Sequence, residues 1–149
     1  MLTMKPDEAV TQITLNIFCL NGVLHEWGNQ FTQPLGLNTA RWQVLGAIAL
    51  AETAPNIPQI AEKMGITRQG ALKQVNVLIE EKLITTLPNP AHKRSPLYAL
   101  TERGQAEFTH IQTQWQQHAQ KVAAQFHPDD LAATVRVLSQ LNLHYKTNG

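Results

Sequence analysis

Cysteine is nearly absent: Cys19 is the only one in 149 residues, so no internal disulfide can staple the chain and the fold must rest on packing. No apolar run approaches the length of a membrane span, and Met1 to Lys5 is not followed by a signal-like apolar segment, so a cytoplasmic protein is the expectation. There is no glycine-rich phosphate loop, no elbow around a nucleophilic serine and no sequence-evident base partner for Cys19, which argues against an enzyme. The six histidines, His25, His92, His110, His118, His127 and His144, include no i,i+4 pair, the spacing that sets two metal ligands on one helix face. No metal or other cofactor is implied. Charge of one sign is scarce as well, since the formal net charge is only +1.

What is present is unevenly placed. Residues 57 to 104 hold seven Lys/Arg against four Asp/Glu, whereas the remainder holds five against seven. The basic stretch has a recognisable grammar. Ile57 to Met64 reads as a short helix, Gly65-Ile66 as a tight turn, and Thr67 to Glu81 as a second helix opened by a hydroxyl N-cap, which together make a helix-turn-helix. Ile60, Ala61 and Met64 form an inward stripe on the first helix. Leu72, Val75, Leu78 and Ile79 form one on the second, with Ile66 between them. The outer face of the second helix then carries Arg68, Gln69, Gly70, Lys73 and Gln74, residue types suited to base edges and phosphates. Its N-terminus, at Thr67, favours phosphate electrostatically.

After Glu81 the apolar period falls from near 3.6 to 2. Leu83 to Leu87 and Leu97 to Leu100 are strand-like runs around a proline-bounded tip that presents His92, Lys93 and Arg94. The prolines hold Leu87, Asn89 and Ser95 extended, so the tip should project as a stiff basic finger beside the recognition helix, which is to say a wing. The expected class is therefore mostly α with a small β-hairpin.

Asn89-Pro90-Ala91-His92-Lys93-Arg94-Ser95-Pro96-Leu97, followed by Leu100-Thr101-Glu102-Arg103-Gly104, resembles the wing and following helix start of MarR-type transcriptional regulators. Gly36-Leu37-Asn38 leading into Trp42-Gln43-Val44-Leu45, and Gln59-Ile60-Ala61 through Gly65-Ile66-Thr67, fit the same pattern in the same order. The resemblance covers nearly the whole chain. It implies a winged-helix dimer that represses or activates promoters and is often released by a small ligand or by oxidation, with Arg94 reaching the minor groove. Two positions depart from the pattern. His92 stands where the family usually has an Asp that holds the wing arginine, which opens the possibility of a wing sensitive to mildly acid pH. Lys82 stands where the family usually has Gly closing the recognition helix. Positive φ costs a lysine roughly 1 kcal/mol relative to glycine, so the expectation is a helix that ends without that cap.

The remaining helices flank this core. From Pro6-Asp7-Glu8, apolar residues recur at Val10, Ile13, Ile17, Leu20, Leu24, Trp27 and Phe31 with alternating spacings of three and four. Such a seam packs lengthwise on other helices, supplied either by a partner subunit or by the chain itself. Asn38 reads as the N-cap of a helix carrying Trp42, Leu45, Ile48 and Ala49. Thr101 caps a long helix with Phe108, Ile111, Trp115, Ala119, Val122 and Phe126 on one stripe. After His127-Pro128 a last helix places Leu131, Val135, Leu138, Leu141 and Tyr145 inward. With 43% hydrophobic residues the chain can bury the core of one domain and is too short for two, so 1–149 is read as a single domain. Within it, 38–104 form the winged helix-turn-helix part that binds DNA. The flanking N- and C-terminal segments, 6–33 and 105–146, form the helical dimerisation part.

Candidate sensing residues follow from position. Trp27, Phe31, Trp42 and Trp115 can line a cleft of the kind the resemblance implies, with Arg41 pairing an acidic or small aromatic effector. The plainer reading makes the aromatics core and the arginine solvated. Cys19 is the one redox candidate, against packing as a small hydrophobe. The expected function is a sequence-specific DNA-binding transcriptional regulator and repressor, bound as a homodimer to an inverted repeat in double-stranded DNA. The alternative is a winged-helix module that binds another protein, for which apolar rather than basic and amide side chains would be expected at Arg68, Gln69, Lys73, Lys93 and Arg94.

Overall fold

Pro6, Asp7 and Glu8 start the first helix, α1 (Pro6–Thr32). Proline tolerates a first turn whose N–H groups have no helical partner, and the two carboxylates face the positive end of the helix dipole. The computed structural model describes residues 3 to 148, and the chain divides into two compact units, Met1–Thr109 and His110–Gly149. In the first unit a 3-10 turn (Gln33–Leu35) closes α1. It is followed by α2 (Thr39–Ala49), α3 (Ile57–Met64), α4 (Arg68–Glu80) and an antiparallel hairpin of β1 (Ile84–Leu87) and β2 (Leu97–Leu100). Helix α5 (Glu102–Ala123) begins in this unit and continues into the second, which ends with α6 (Pro128–Asn148).

Each helix of the core begins on a side-chain cap. The Asn38 side chain accepts from the Arg41 N–H at 2.9 Å, and the Thr67 hydroxyl accepts from the Gly70 N–H at 3.0 Å. At α3, Asn56 and Gln59 satisfy each other's backbone N–H groups reciprocally, at 3.0 and 2.9 Å, a capping box that the reading of the sequence did not assign. Gly65, at φ +68°, turns the chain between α3 and α4, where a residue with a Cβ would be strained. Thr101 caps α5 through the Gly104 N–H, and its own hydroxyl donates to the Lys82 carbonyl at 2.7 Å.

The core of this unit joins Val44, Leu45 and Ile48 of α2, Ile60 and Ala61 of α3, and Ala71, Val75 and Leu78 of α4 to Leu83, Ile84, Tyr98 and Phe108. Ile84 pairs with Leu100 and Leu87 with Leu97 across the hairpin, while the Tyr98 N–H donates to the Pro55 carbonyl at 2.9 Å, so the loop before α3 occupies the outer edge of β2.

Three expectations about this core need correction. Leu72 is 41% exposed, and the inward stripe of α4 runs through the fully buried Ala71, Val75 and Leu78 instead, which stand at helical spacings of four and three. Ile66 is 40% exposed as well, with its side chain beside Gly70 at the start of α4 rather than buried between α3 and α4. Lys82 does adopt positive φ, +63°. The Leu83 N–H donates to the Leu78 carbonyl at 2.9 Å and the Lys82 N–H to the Ile79 carbonyl at 3.0 Å, the two bonds of a Schellman motif with lysine in the place glycine usually takes. The tertiary bonds at this turn, the Thr101 hydroxyl on the Lys82 carbonyl included, outweigh the local strain.

In the second unit, the His127 imidazole accepts from the Asp129 N–H at 3.1 Å and so caps α6, whose first turn also carries Asp129 and Asp130. The apolar stripes at the two chain ends are only partly covered within one chain. On α1, Val10, Ile17, Leu20 and Leu24 are exposed, as are Leu15, Phe18 and Val23 off the expected seam. On α6, Val135, Leu138 and Tyr145 are exposed rather than inward, and so are Val122 and Phe126 at the end of α5 and just beyond it. Among the described residues, no helix is long and apolar enough to cross a membrane.

Candidate nucleic-acid interface

Helix α4 presents its polar side because Ala71, Val75 and Leu78 fix which face is buried. Arg68, Gln69 and Lys73 are exposed on the remaining face, while Gln74 and Gly70 are half-buried. A Cβ on Gly70 would lie 3.2 Å from the Thr67 hydroxyl and 3.6 Å from Ile66, so the missing side chain here relieves the helix cap. The first turn of α4 carries no acidic residue and holds Arg68 instead. Its first amides, apart from the one Thr67 satisfies, point to where an anion would bind, and the helix dipole adds to that preference.

The wing tip is ordered by its own hydrogen bonds rather than by proline stiffness alone. The Asn89 side-chain amide donates to the Ser95 carbonyl at 2.8 Å, across the base of the tip, and its oxygen accepts from the Ala91 N–H at 3.1 Å. Backbone bonds from His92 to Asn89 and from Ser95 to His92, at 3.2 and 3.1 Å, form two successive tight turns. His92, Lys93 and Arg94 are all exposed on the result. Two separate elements of the first unit thus carry exposed cations: a helix with an uncovered polar face, and a stapled loop.

The other sequence candidates fall in different places. Trp27 stacks on Phe31 with ring centroids 4.8 Å apart, and Phe31 meets Trp42 at 5.4 Å, so three of the four aromatics gather where α1 and α2 cross. That crossing is close. A Cβ on Gly28 would collide with the Thr39 hydroxyl, which donates to the His25 carbonyl at 2.6 Å. Trp115 belongs to the second unit, where its ring lies 5.5 Å from that of His118. The Arg41 guanidinium bonds the Glu81 carboxylate at 2.9 Å and approaches the Gly36 carbonyl at 3.4 Å. Glu81 and Gly36 also border a recess of about 510 Å³ together with Lys82, Arg103 and Glu107. Cys19 is exposed on α1. Among the described residues, no group of three or more His, Cys, Asp or Glu side chains is arranged to hold a metal ion.

A second shallow recess, of about 500 Å³, lies along α4 itself and is lined by Gln69, Leu72, Lys73 and Asn76 with Val77 and Glu80. Leu72 and Asn76 were not among the expected contact residues. Their signal was available in the spacing, since 69, 72, 73 and 76 are the i, i+3, i+4, i+7 positions of one helical face.

A MarR family model matches residues 35–95, the stretch that holds α2, the helix-turn-helix and the wing tip. An uncharacterized protein of Mycobacterium tuberculosis is 34% identical over 98 residues, 66% of this chain and 67% of its own length. This chain belongs to the MarR family. Members of the MarR family are transcription regulators, not enzymes, and the chain has their winged-helix DNA-binding fold.

Solved MarR structures share that fold at low identity. A MarR/EmrR family transcriptional regulator from Acinetobacter sp. ADP1 superposes with a TM-score of 0.82 at 19% identity, over 97% of this chain and 99% of that one. A mutant MarR from Escherichia coli complexed with operator DNA gives 0.73 at 20% identity, over 93% and 99%. A Staphylococcus aureus MarR in complex with salicylate and kanamycin gives 0.76 at 21% identity, over 95% and 96%.

Proposed function

We propose that this MarR-family protein is a repressor that binds an inverted-repeat operator as a homodimer and is released by a small aromatic or acidic effector. The observation that carries the reading is the pairing of α4 and the wing. Arg68, Gln69 and Lys73 are exposed on one, and His92, Lys93 and Arg94 on the other, within a single compact unit. In this reading Arg68, Gln69 and Lys73 enter the major groove, Gly70 lets the backbone approach it, Thr67 and Gln74 lie close to phosphates, and Arg94 and Lys93 reach the flanking minor groove or backbone. The structurally similar Escherichia coli MarR in its operator complex supports a DNA ligand, and the Staphylococcus aureus MarR with salicylate supports an aromatic acid effector. The aromatic cluster of Trp27, Phe31 and Trp42, with Arg41 next to Trp42 in the chain, is the proposed effector site.

Residues 38–104 serve as the DNA-binding part, and 6–33 with 105–146 as the dimerisation part. The uncovered apolar side chains of α1 and α6 support this division: Phe18 is 71% exposed and Val135 65%, a state that a partner subunit would relieve. Two-fold symmetry then places the two copies of α4 about one DNA turn, roughly 34 Å, apart.

Fluorescence polarisation against DNA from the gene's own upstream region, and against fragments recovered by genome-wide selection, tests the reading. Selective binding that weakens steeply with salt is the expected result. Failure to recover any preferred site would remove it in favour of a protein-binding winged helix.

A further inference from the structure

The groove face of α4 holds one side chain that neither electrostatics nor core packing accounts for. Leu72 is 41% exposed, while the buried face of the same helix is already filled by Ala71, Val75 and Leu78, each with no exposed surface. Its neighbours along the outward face are Gln69 three residues before, Lys73 beside it and Asn76 four residues after, and all four line the shallow recess along α4. An amide, an ammonium and a second amide are groups that hydrogen-bond to base edges and phosphates. A branched alkyl group set among them has one chemical counterpart on the floor of the major groove, the C5-methyl of thymine.

We propose, resting on the regulator reading above, that Leu72 is a specificity-determining residue that packs on a thymine methyl in each operator half-site. Lys73 and the two amides favour DNA as the occupant at this end of the recess, with Val77 and Glu80 lining its other end. An apolar protein surface would leave Lys73 and the two amides desolvated, whereas a thymine step flanked by purine acceptors and phosphates satisfies all of them. Leu72 contributes no charge, so its effect is confined to sequence preference and leaves the salt dependence of binding unchanged.

The test uses the full-length protein and the operator recovered by selection, with each thymine replaced in turn by uracil, which deletes only the methyl group. Wild type is expected to lose about fourfold in affinity at one symmetry-related pair of positions, the effect of withholding one methylene-sized group from burial. Leu72→Ala should bind the thymine and uracil operators equally at that pair while keeping the wild-type salt slope and melting temperature. Leu72→Met should retain the discrimination. A wild type that selects no site overturns the regulator reading and this inference together. A wild type that selects a site yet ignores every methyl, or a Leu72→Ala variant that keeps the wild-type thymine preference, leaves the regulator standing and overturns the role of Leu72 alone.

Discussion

The Arg41 guanidinium lies 2.9 Å from the Glu81 carboxylate, which ties the first turn of α2 to the C-cap of the recognition helix. The same Glu81 is held from a second direction, because Arg103 donates to its carbonyl at 3.4 Å. Both side chains of the pair remain partly exposed, 25% and 37%, so solvent screens the attraction. A double-mutant cycle of Arg41→Ala and Glu81→Ala in urea melts is expected to give a coupling below about 1 kcal/mol. The Glu81 carboxylate competes with any acidic effector for the Arg41 guanidinium. Glu81→Gln should therefore tighten the binding of small aromatic acids, read by tryptophan quenching, and unchanged affinity would separate Arg41 from the effector site.

The turn after α4 stores strain in Lys82, at φ +63°. Replacing it with glycine keeps the Schellman bonds and removes the Cβ penalty. Lys82→Gly should stabilise the protein by about 1 kcal/mol in equilibrium unfolding. A destabilised variant would mean that the lysine side chain contributes more than its backbone conformation costs.

The wing and the helix should be separable by salt and sequence. Lys93→Ala is expected to weaken binding to all sequences alike and to reduce the salt slope by about one ion. Arg94→Ala should cost about 1 to 3 kcal/mol, concentrated at base pairs flanking the half-site. An Arg94→Ala variant that binds as tightly as wild type would show that the wing takes no part in recognition.

Oligomeric state tests the uncovered apolar helices. The chain has a mass of 16.6 kDa, and sedimentation at micromolar concentration should return about twice that value for wild type. Leu20→Glu on α1, where the native leucine is 51% exposed in one chain, should shift the population toward monomer and abolish binding to the inverted repeat. A stable wild-type monomer would end the dimer proposal.

Burial pushes the Tyr98 phenol above its ordinary value of 10.0. Below that pH the folded and unfolded chains both carry the neutral ring, so Tyr98 adds no pH dependence. As pH rises past the unfolded value, the unfolded state loses its proton first, binds fewer protons than the folded state, and stability falls. Tyr98→Phe should flatten the alkaline limb of a stability profile above about pH 10 and leave the neutral region unchanged in slope.

Much of this architecture was legible because its signals are local. Asn38 and Thr67 announce helix starts through their own side chains, and each makes the bond its residue type suggests. The change of apolar period after Glu81 located the hairpin, with β2 at Leu97–Leu100 as expected and β1 starting one residue later, at Ile84. The basic tip of the hairpin was equally plain, although its ordering depends on the Asn89 bond to Ser95, six residues away, which no periodicity reports.

Two adjacent positions mark where local reading stops. Leu72 and Ala71 differ by about 100° around α4, and hydrophobicity alone ranks leucine for the interior. The helix instead buries Ala71 in line with Val75 and Leu78, and that turns Leu72 outward into the proposed reading face. Lys82 shows the same precedence in the backbone. Propensity argues against positive φ, yet the carbonyls of Leu78 and Ile79, the N–H of Leu83 and the hydroxyl of Thr101 hold it there. The order of elements, their caps and the placement of charge were determined by the sequence itself, since each depends on residues a few positions apart. Which helical face is buried, and which strained turn is kept, were decided only in the tertiary structure, where distant groups compete for the same space and the same hydrogen bonds.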